Sequence, residues 1–155
     1  IEIAEGNLVL FMDADGSHSP EFIPELLRYA SEFDIVIASR YVNKGGTENN
    51  FILTLMSRVL NISYSVVLGL PCKDVSNSYK LYHKHQLSLI TLECNNFDIV
   101  EEILVKLFHS KKPYKIKEVP YIFKKRMFGK TKRNLLIFTV TYIFTITKLR
   151  FKSRH

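Results

Sequence analysis

Two short apolar runs, Leu8–Met12 and Ile35–Ala38, restrict this chain more than any other feature. Neither alternates apolar with polar residues, so each reads as a strand covered on both faces. Between them Ser19-Pro20-Glu21 opens a helix expected to run to about Ser31, with Ser19 as N-cap and Pro20 at the first helical position. Phe22, Ile23, Leu26, Leu27 and Ala30 recur there at helical spacing. Strand, helix and strand in about 30 residues make a βαβ unit, and the expectation is an α/β core with parallel strands.

The rest of the chain fits that class. A polar loop over 43–50, with Gly45-Gly46, precedes a helix expected over Phe51–Leu68 and stopped by Gly69-Leu70-Pro71. Residues 72–84 read as a loop and short strand, 98–109 as a helix, and 116–123 as a strand that Pro120 puts at an edge or bends. At 46% hydrophobic and 24% charged residues, the 155-residue chain is no disordered segment. Cys72 and Cys94 are too few for a disulfide scaffold and lack metal spacing. The five histidines form no spaced metal pair with them.

Charge divides the chain in two. Residues 1–104 carry a net −7 and residues 105–155 a net +14, where Glu118 is the one acid. A basic end of this kind points to an anionic partner: a membrane surface, nucleic acid or a phosphorylated substrate. The apolar stretch Leu135–Thr147 is 13 residues long, whereas a bilayer takes roughly 20. It reads as an interfacial or packing helix, and no spanning helix is expected.

Asp13-Ala14-Asp15 stands where the first strand ends. Open α/β sheets bind ligands outside the carboxyl ends of their strands. Two carboxylates one residue apart suit a hard divalent cation and a phosphate-bearing substrate there.

From these residues the chain resembles family 2 glycosyltransferases of the dolichyl- or polyprenyl-phosphate mannosyltransferase type. Asp13-Ala14-Asp15-Gly16-Ser17-His18-Ser19-Pro20-Glu21 is similar to the family's D-A-D-x-x-H-x-P-E. Ser39-Arg40-Tyr41-Val42 with Gly45-Gly46 and Glu48-Asn49, then Ser57-Arg58 with Asn61 and Leu68-Gly69-Leu70-Pro71, follow in family order. So do Asp74-Val75-Ser76-Asn77-Ser78-Tyr79-Lys80-Leu81-Tyr82, and Glu118-Val119-Pro120 through Arg126, Gly129, Thr131 and Lys132. Departures are Gly16-Ser17 for Leu-Gln, Asn77-Ser78 for Ser-Gly, and Lys80 for Arg.

The resemblance implies a GT-A, Rossmann-like nucleotide-diphospho-sugar transferase fold. Residues 1–133 would be part of that domain and 134–155 an apolar, basic C-terminal helix. It implies Mg²⁺ or Mn²⁺ on Asp13, Asp15 and Ser17, and catalytic roles for Asp15, Arg40 and Arg126. It puts Asp13, Arg40, Ser57, Arg58, Asp74, Arg126 and Lys132 on the substrates. The implied reaction is inverting transfer from a nucleotide-sugar donor, GDP-mannose foremost, to a polyprenyl phosphate acceptor at the cytoplasmic face of a membrane. Its opening strand and P-x-Y-N-E motif have no counterpart in this chain, so the expectation is the latter part of a larger enzyme, inactive alone. Rival readings are another sugar or a non-lipid acceptor, or a non-catalytic segment whose basic tail binds anionic membrane. Tyr114, Tyr121, Phe123 and Phe128 alternate with basic residues but match no recognition motif, which argues against nucleic acid. Glu102 is open between orienting an arginine and capping a helix.

Overall fold

In the computed structural model, residues 1, 3–94, 98–110, 114–125 and 144–151 are described. Four strands form one sheet: β1 (Leu8–Phe11), β2 (Ile35–Ser39), β4 (Lys80–His83) and β5 (Ile116–Pro120), in the order β1-β4-β2-β5. A two-stranded parallel pair joins β3 (Gly46–Thr47) to β6 (Ile122–Phe123). The helices are α1 (Ile23–Leu27), α2 (Phe51–Leu68), α3 (Lys84–Leu87) and α4 (Ile99–Phe108).

The expected strands form, but the sheet is mixed rather than parallel. β1 and β2 point the same way without touching, because β4 lies between them, antiparallel to both. Leu10 faces Leu81 on one side, and Val36 faces Leu81 on the other. The crossover through α1 skips one strand position, and Lys80–His83, with Leu81 and Tyr82 turned to opposite faces, fills it. β5 then pairs parallel with β2, and Pro120 ends that edge strand as its missing N–H requires.

All five residues of β2 are buried. Its side chains alternate between two cores: Ile35 and Ile37 join α2 and α4, while Val36 and Ala38 join Leu26 of α1. A strand covered on both faces loses its polar alternation, which is why it reads as a continuous apolar run. β1 is only half-buried, since it borders the described sheet on one side.

The helix after Ser19 is shorter than its apolar spacing suggests. Pro20–Phe22 is a 3₁₀ turn, and α1 starts afresh with Pro24 in its first turn. Pro24 has no N–H to continue the ladder, and residues 29 and 30 return to i→i−3 bonds. Ser19 makes no side-chain cap; its hydroxyl donates to Glu21 instead.

α2 matches the sequence expectation from end to end. Asn50 Oδ1 caps it by accepting from the Leu53 N–H at 2.9 Å, and Gly69 closes it at φ 67°, a left-handed conformation suited to glycine. By length and composition α2 is apolar enough to cross a membrane. However, Leu60, Asn61, Tyr64 and Leu68 are buried along one side, and the three apolar ones join the core over the sheet. Most of the C-terminal helix expected over 134–155 falls outside the described residues. Residues 144–151 are helical, with Leu149 buried in the core beside α4.

Candidate functional site

The site lies at the carboxyl ends of β1 and β2, and the connection entering β4 holds it together. Within five residues, Asp74 grips Arg40, Asn77 grips His18, and Ser78 donates to Asp13 at 2.9 Å. One short loop thus ties the Asp13–Asp15 turn to the residue that follows β2.

Arg40 is held with unusual firmness. Its Nε donates to Asp74 Oδ2 at 2.8 Å, its Nη2 to Oδ1 at 2.6 Å, and its backbone N–H to Oδ2 at 2.8 Å. Asp74 is fully buried and the Arg40 side chain is 10% exposed. Burial by itself would lower the Arg40 pKa, but the hydrogen bonds and charge of Asp74 more than offset it, so the guanidinium sits above its ordinary value. Asp74, expected on the substrate, has its carboxylate buried against the Arg40 guanidinium.

A second carboxylate fixes the first. Glu118 Oε1 accepts from Ser39 Oγ at 2.7 Å and the Asp74 N–H at 3.0 Å, and its Oε2 accepts from the Lys73 N–H at 2.9 Å. Ser76 Oγ then accepts from both Arg40 Nη2 and Asn61 Nδ2, at 3.1 and 3.0 Å, so α2 is tied to the same network. Gly45 is required beside it. A Cβ there would stand 2.5 Å from Ser39 O and 3.0 Å from Arg40 O.

The acidic side is organised by His18. Its Nδ1 accepts the Asp13 N–H at 2.8 Å, so the proton is on Nε2, which donates to Asn77 Oδ1 at 3.0 Å. Asn77 in turn donates to Ala38 O at 2.6 Å. The ring stacks on Tyr79 at 4.7 Å and meets Phe123 edge-on at 5.4 Å. Burial lowers the His18 pKa against the opposing pull of Asp13 and the Asn77 hydrogen bond, which keeps the imidazole neutral in this role. Tyr121 accepts from the Ser19 N–H and donates to Ser17 O, both at 2.8 Å.

Asp15 Oδ1 accepts from the Ser17 N–H at 3.0 Å and from its hydroxyl at 2.5 Å. Ser17, expected as a metal ligand, is fully buried and directs its proton to Asp15. Among the described residues no group of three or more His, Cys, Asp and Glu side chains comes together to hold a metal. Two carboxylates are nevertheless a fitting donor set, because Mg²⁺ is commonly held by one or two carboxylates, substrate phosphates and water. Asp13 is exposed and Asp15 half-buried, so a phosphate-bound cation could reach both.

Phe123 links the two sides: its ring lies 5.4 Å from Arg40 Cζ and, edge-on, the same distance from His18. Tyr41 lies under two guanidiniums, 5.0 Å from Arg40 Cζ and 5.7 Å from Arg58 Cζ. Its buried hydroxyl has no hydrogen-bond partner among the described residues. Ser57 lends the site a backbone carbonyl, which accepts from Asn61 Nδ2 at 2.8 Å. Arg126 and Lys132 lie outside the described residues. Glu102 turns out to brace a loop: it accepts from the Glu93 and Cys94 N–H groups and pairs with Lys106 at 2.9 Å. The roles of His18, Asn77 and Glu118 in bracing the site depend on partners 39 to 79 positions away; only their polar type, inside matched motifs, hinted at them.

Comparison with known proteins identifies the family and the fold. The family model described as Glycosyl transferase family 2 matches residues 1–89. A dolichol-phosphate mannosyltransferase of Pyrococcus furiosus is 34% identical over 133 residues, covering 83% of this chain and 37% of that protein. An undecaprenyl-phosphate mannosyltransferase of Micrococcus luteus is 31% identical, covering 81% and 53%. The chain therefore spans about a third to a half of those relatives' lengths. Glucosyl-3-phosphoglycerate synthase from Mycobacterium tuberculosis, solved with Mn²⁺ and UDP-glucose and with Mg²⁺ and UDP, superposes with TM-scores of 0.62 and 0.63 at 16% identity. Those superpositions cover 94% of this chain and 50% of the synthase, a likeness of fold.

Proposed function

Because the chain belongs to glycosyl transferase family 2, we propose that it forms the catalytic-face portion of a GT-A enzyme that transfers a sugar to a polyprenyl phosphate. Mannose from GDP-mannose is the favoured donor, and the work is done at the cytoplasmic face of a membrane. The observation that carries the reading is the loop from Asp74 to Ser78, which joins a carboxylate turn to an anchored arginine. Family relatives named for dolichol-phosphate and undecaprenyl-phosphate support the acceptor class.

An acceptor phosphate is already anionic at neutral pH and needs no general base. Its oxygen attacks the anomeric carbon opposite the departing diphosphate, the old C–O bond breaks with its electron pair on the diphosphate, and the configuration inverts. What the protein must supply is positive charge where two anions meet. Arg40 has Nε and Nη2 committed to Asp74, which leaves Nη1 to address a phosphate in a fixed direction. Arg58 shares the Tyr41 ring with Arg40 and is a second cation at that place. Arg126 and Lys132 are proposed as further phosphate contacts on the strength of their motif alone. Asp13 and Asp15 would hold Mg²⁺ or Mn²⁺, which when bound supplies neutralising charge to the leaving diphosphate.

The test is label transfer from GDP-mannose and from UDP-glucose to polyprenyl phosphate. It is run on this chain and on the chain joined to the opening segment of the Pyrococcus furiosus relative. Asp15→Asn is expected to lower transfer by about a hundredfold or more, as loss of a charge-stabilising group does. Unchanged transfer in that variant removes the role given to Asp15.

A further inference from the structure

The far end of β4 carries two histidines that the transfer site does not use. Lys80 pairs with Phe11 next to the acidic turn, whereas His83 pairs with Leu8 at the start of β1. Three strand steps, roughly 10 Å, separate those two ends. At the far end His83, Lys84 and His85 line an open hollow of about 280 Å³ together with Asn7 and Ser88. We propose that this hollow is a binding site for a divalent transition-metal ion, Zn²⁺ foremost, held by the His83 and His85 imidazoles.

Three observations carry it. First, the rings stand at a spacing that one ion can bridge. A metal about 2.0–2.1 Å from each ligating nitrogen lies about 3.2 Å from each ring centroid, so a tetrahedral or slightly wider angle separates the two centroids by roughly 5–6 Å. The observed separation is 5.6 Å, with the ring planes 58° apart. Second, the tautomer of His83 is fixed. Its Nε2 lies 3.0 Å from Ala30 O. A carbonyl only accepts, so Nε2 holds the proton and Nδ1 keeps its lone pair for a metal. A ligating histidine commonly gives its other N–H to a backbone carbonyl, which orients the ring before the ion arrives. Third, the remaining groups select the class of ion. Lys84 Nζ donates to Ala4 O, Ser88 Oγ donates to His85 O at 2.9 Å, and no acid lines the hollow among the described residues. Mg²⁺ and Ca²⁺ require hard oxygen ligands and gain little here, whereas imidazole suits Zn²⁺, Ni²⁺ and Cu²⁺. An anion would meet the Nδ1 lone pair instead of a donor. The Asn7 side-chain carbonyl and water would complete the coordination. Asn7 O also accepts the Lys84 N–H at 2.9 Å, so an ion here clasps the segment before β1 to the end of β4 and stabilises the folded chain.

Titration calorimetry of the untagged chain with Zn²⁺ tests this, with long-range proton–nitrogen spectra of the imidazoles to show which rings bind. Zn²⁺ should move the His83 and His85 ring resonances together, at one ion per chain, and raise Tm; Mg²⁺ should move neither ring. His85→Ala removes an exposed ring and should weaken that binding about tenfold or more, the loss that even outer partners of a metal ligand produce. It should also abolish the rise in Tm. His83→Gln should do the same, while its amide can still donate to Ala30 O. The site should persist in Asp15→Asn, which separates it from the acidic turn. Circular dichroism checks that each variant folds, and His85→Ala, at an exposed position, decides the matter alone should His83→Gln fail that check. Four results overturn the proposal: both rings unmoved by Zn²⁺, binding by His85→Ala as tight as by the wild type, loss of the site in Asp15→Asn, or one ion per two chains with dimerisation in sedimentation, which assigns the ligands to two copies.

Discussion

Replacing Asp74 by Asn tests whether Arg40 is anchored as tightly as its geometry implies. The change keeps the shape of the side chain and removes its charge. Arg40, 10% exposed, would then retain a cation with weakened partners at Nε, Nη2 and its backbone N–H. Removing one member of a buried ion pair costs about 3–5 kcal/mol, because the other charge is left in a poorly solvating environment. For a chain of this size that corresponds to a fall in Tm of roughly 6–20 °C. Urea denaturation followed by circular dichroism measures it, with an unchanged m-value as the sign that only stability has moved. Arg40→Met should cost a comparable amount, yet the double variant should cost less than the two singles together by about 2 kcal/mol, since no charge is then stranded. A loss under about 1 kcal/mol for Asp74→Asn, the range of a solvated surface pair, would refute the anchoring argument. So would strict additivity of the two singles.

Two other predictions probe the same neighbourhood. Gly45→Ala should destabilise by about 1–3 kcal/mol, the range for overpacking, because its methyl would meet Ser39 O at 2.5 Å; an unchanged urea midpoint would contradict this. Lys80 is fully buried, its Nζ donates to Val75 O at 2.7 Å, and burial brings its pKa down to about 8. The unfolded chain, with an ordinary lysine near 10.4, therefore binds more protons than the folded one between about pH 8 and pH 10.4. Lys80 should make stability rise with pH across that window. Stability curves of the wild type and of Lys80→Met should converge or diverge there accordingly, and parallel curves would remove the buried charge from the account.

What the sequence discloses depends on how local the cause is. α2 is legible to the residue because its signals are all close at hand: an asparagine that caps, a long apolar periodicity, a glycine that stops it. β2 is legible because burial on both faces removes polar residues from it. β4 is legible only as a short strand within 72–84, and its place between β1 and β2 is not, since four residues carry no usable period and its partners lie about 45 and 70 positions earlier. The site divides the same way. Asp13, Asp15 and Arg40 stand out at strand ends, whereas the bond between Asp74 and Arg40 crosses 34 positions and that between Glu118 and Ser39 crosses 79. A motif records that an acid is present without saying which cation it faces.

The position of β4 has a consequence for how the chain is made. β1 and β2 leave synthesis before β4, yet no hydrogen bond joins them, and each keeps an open edge until Lys80–His83 slides between. During that interval the nascent segment offers two unpaired, apolar strand edges, the condition under which partly made chains aggregate. The loop bearing Asp74, Asn77 and Ser78 arrives immediately before the closing strand. Closure of the sheet and union of the acidic turn with the arginine are therefore one event, and a chain cut before residue 84 forfeits both together.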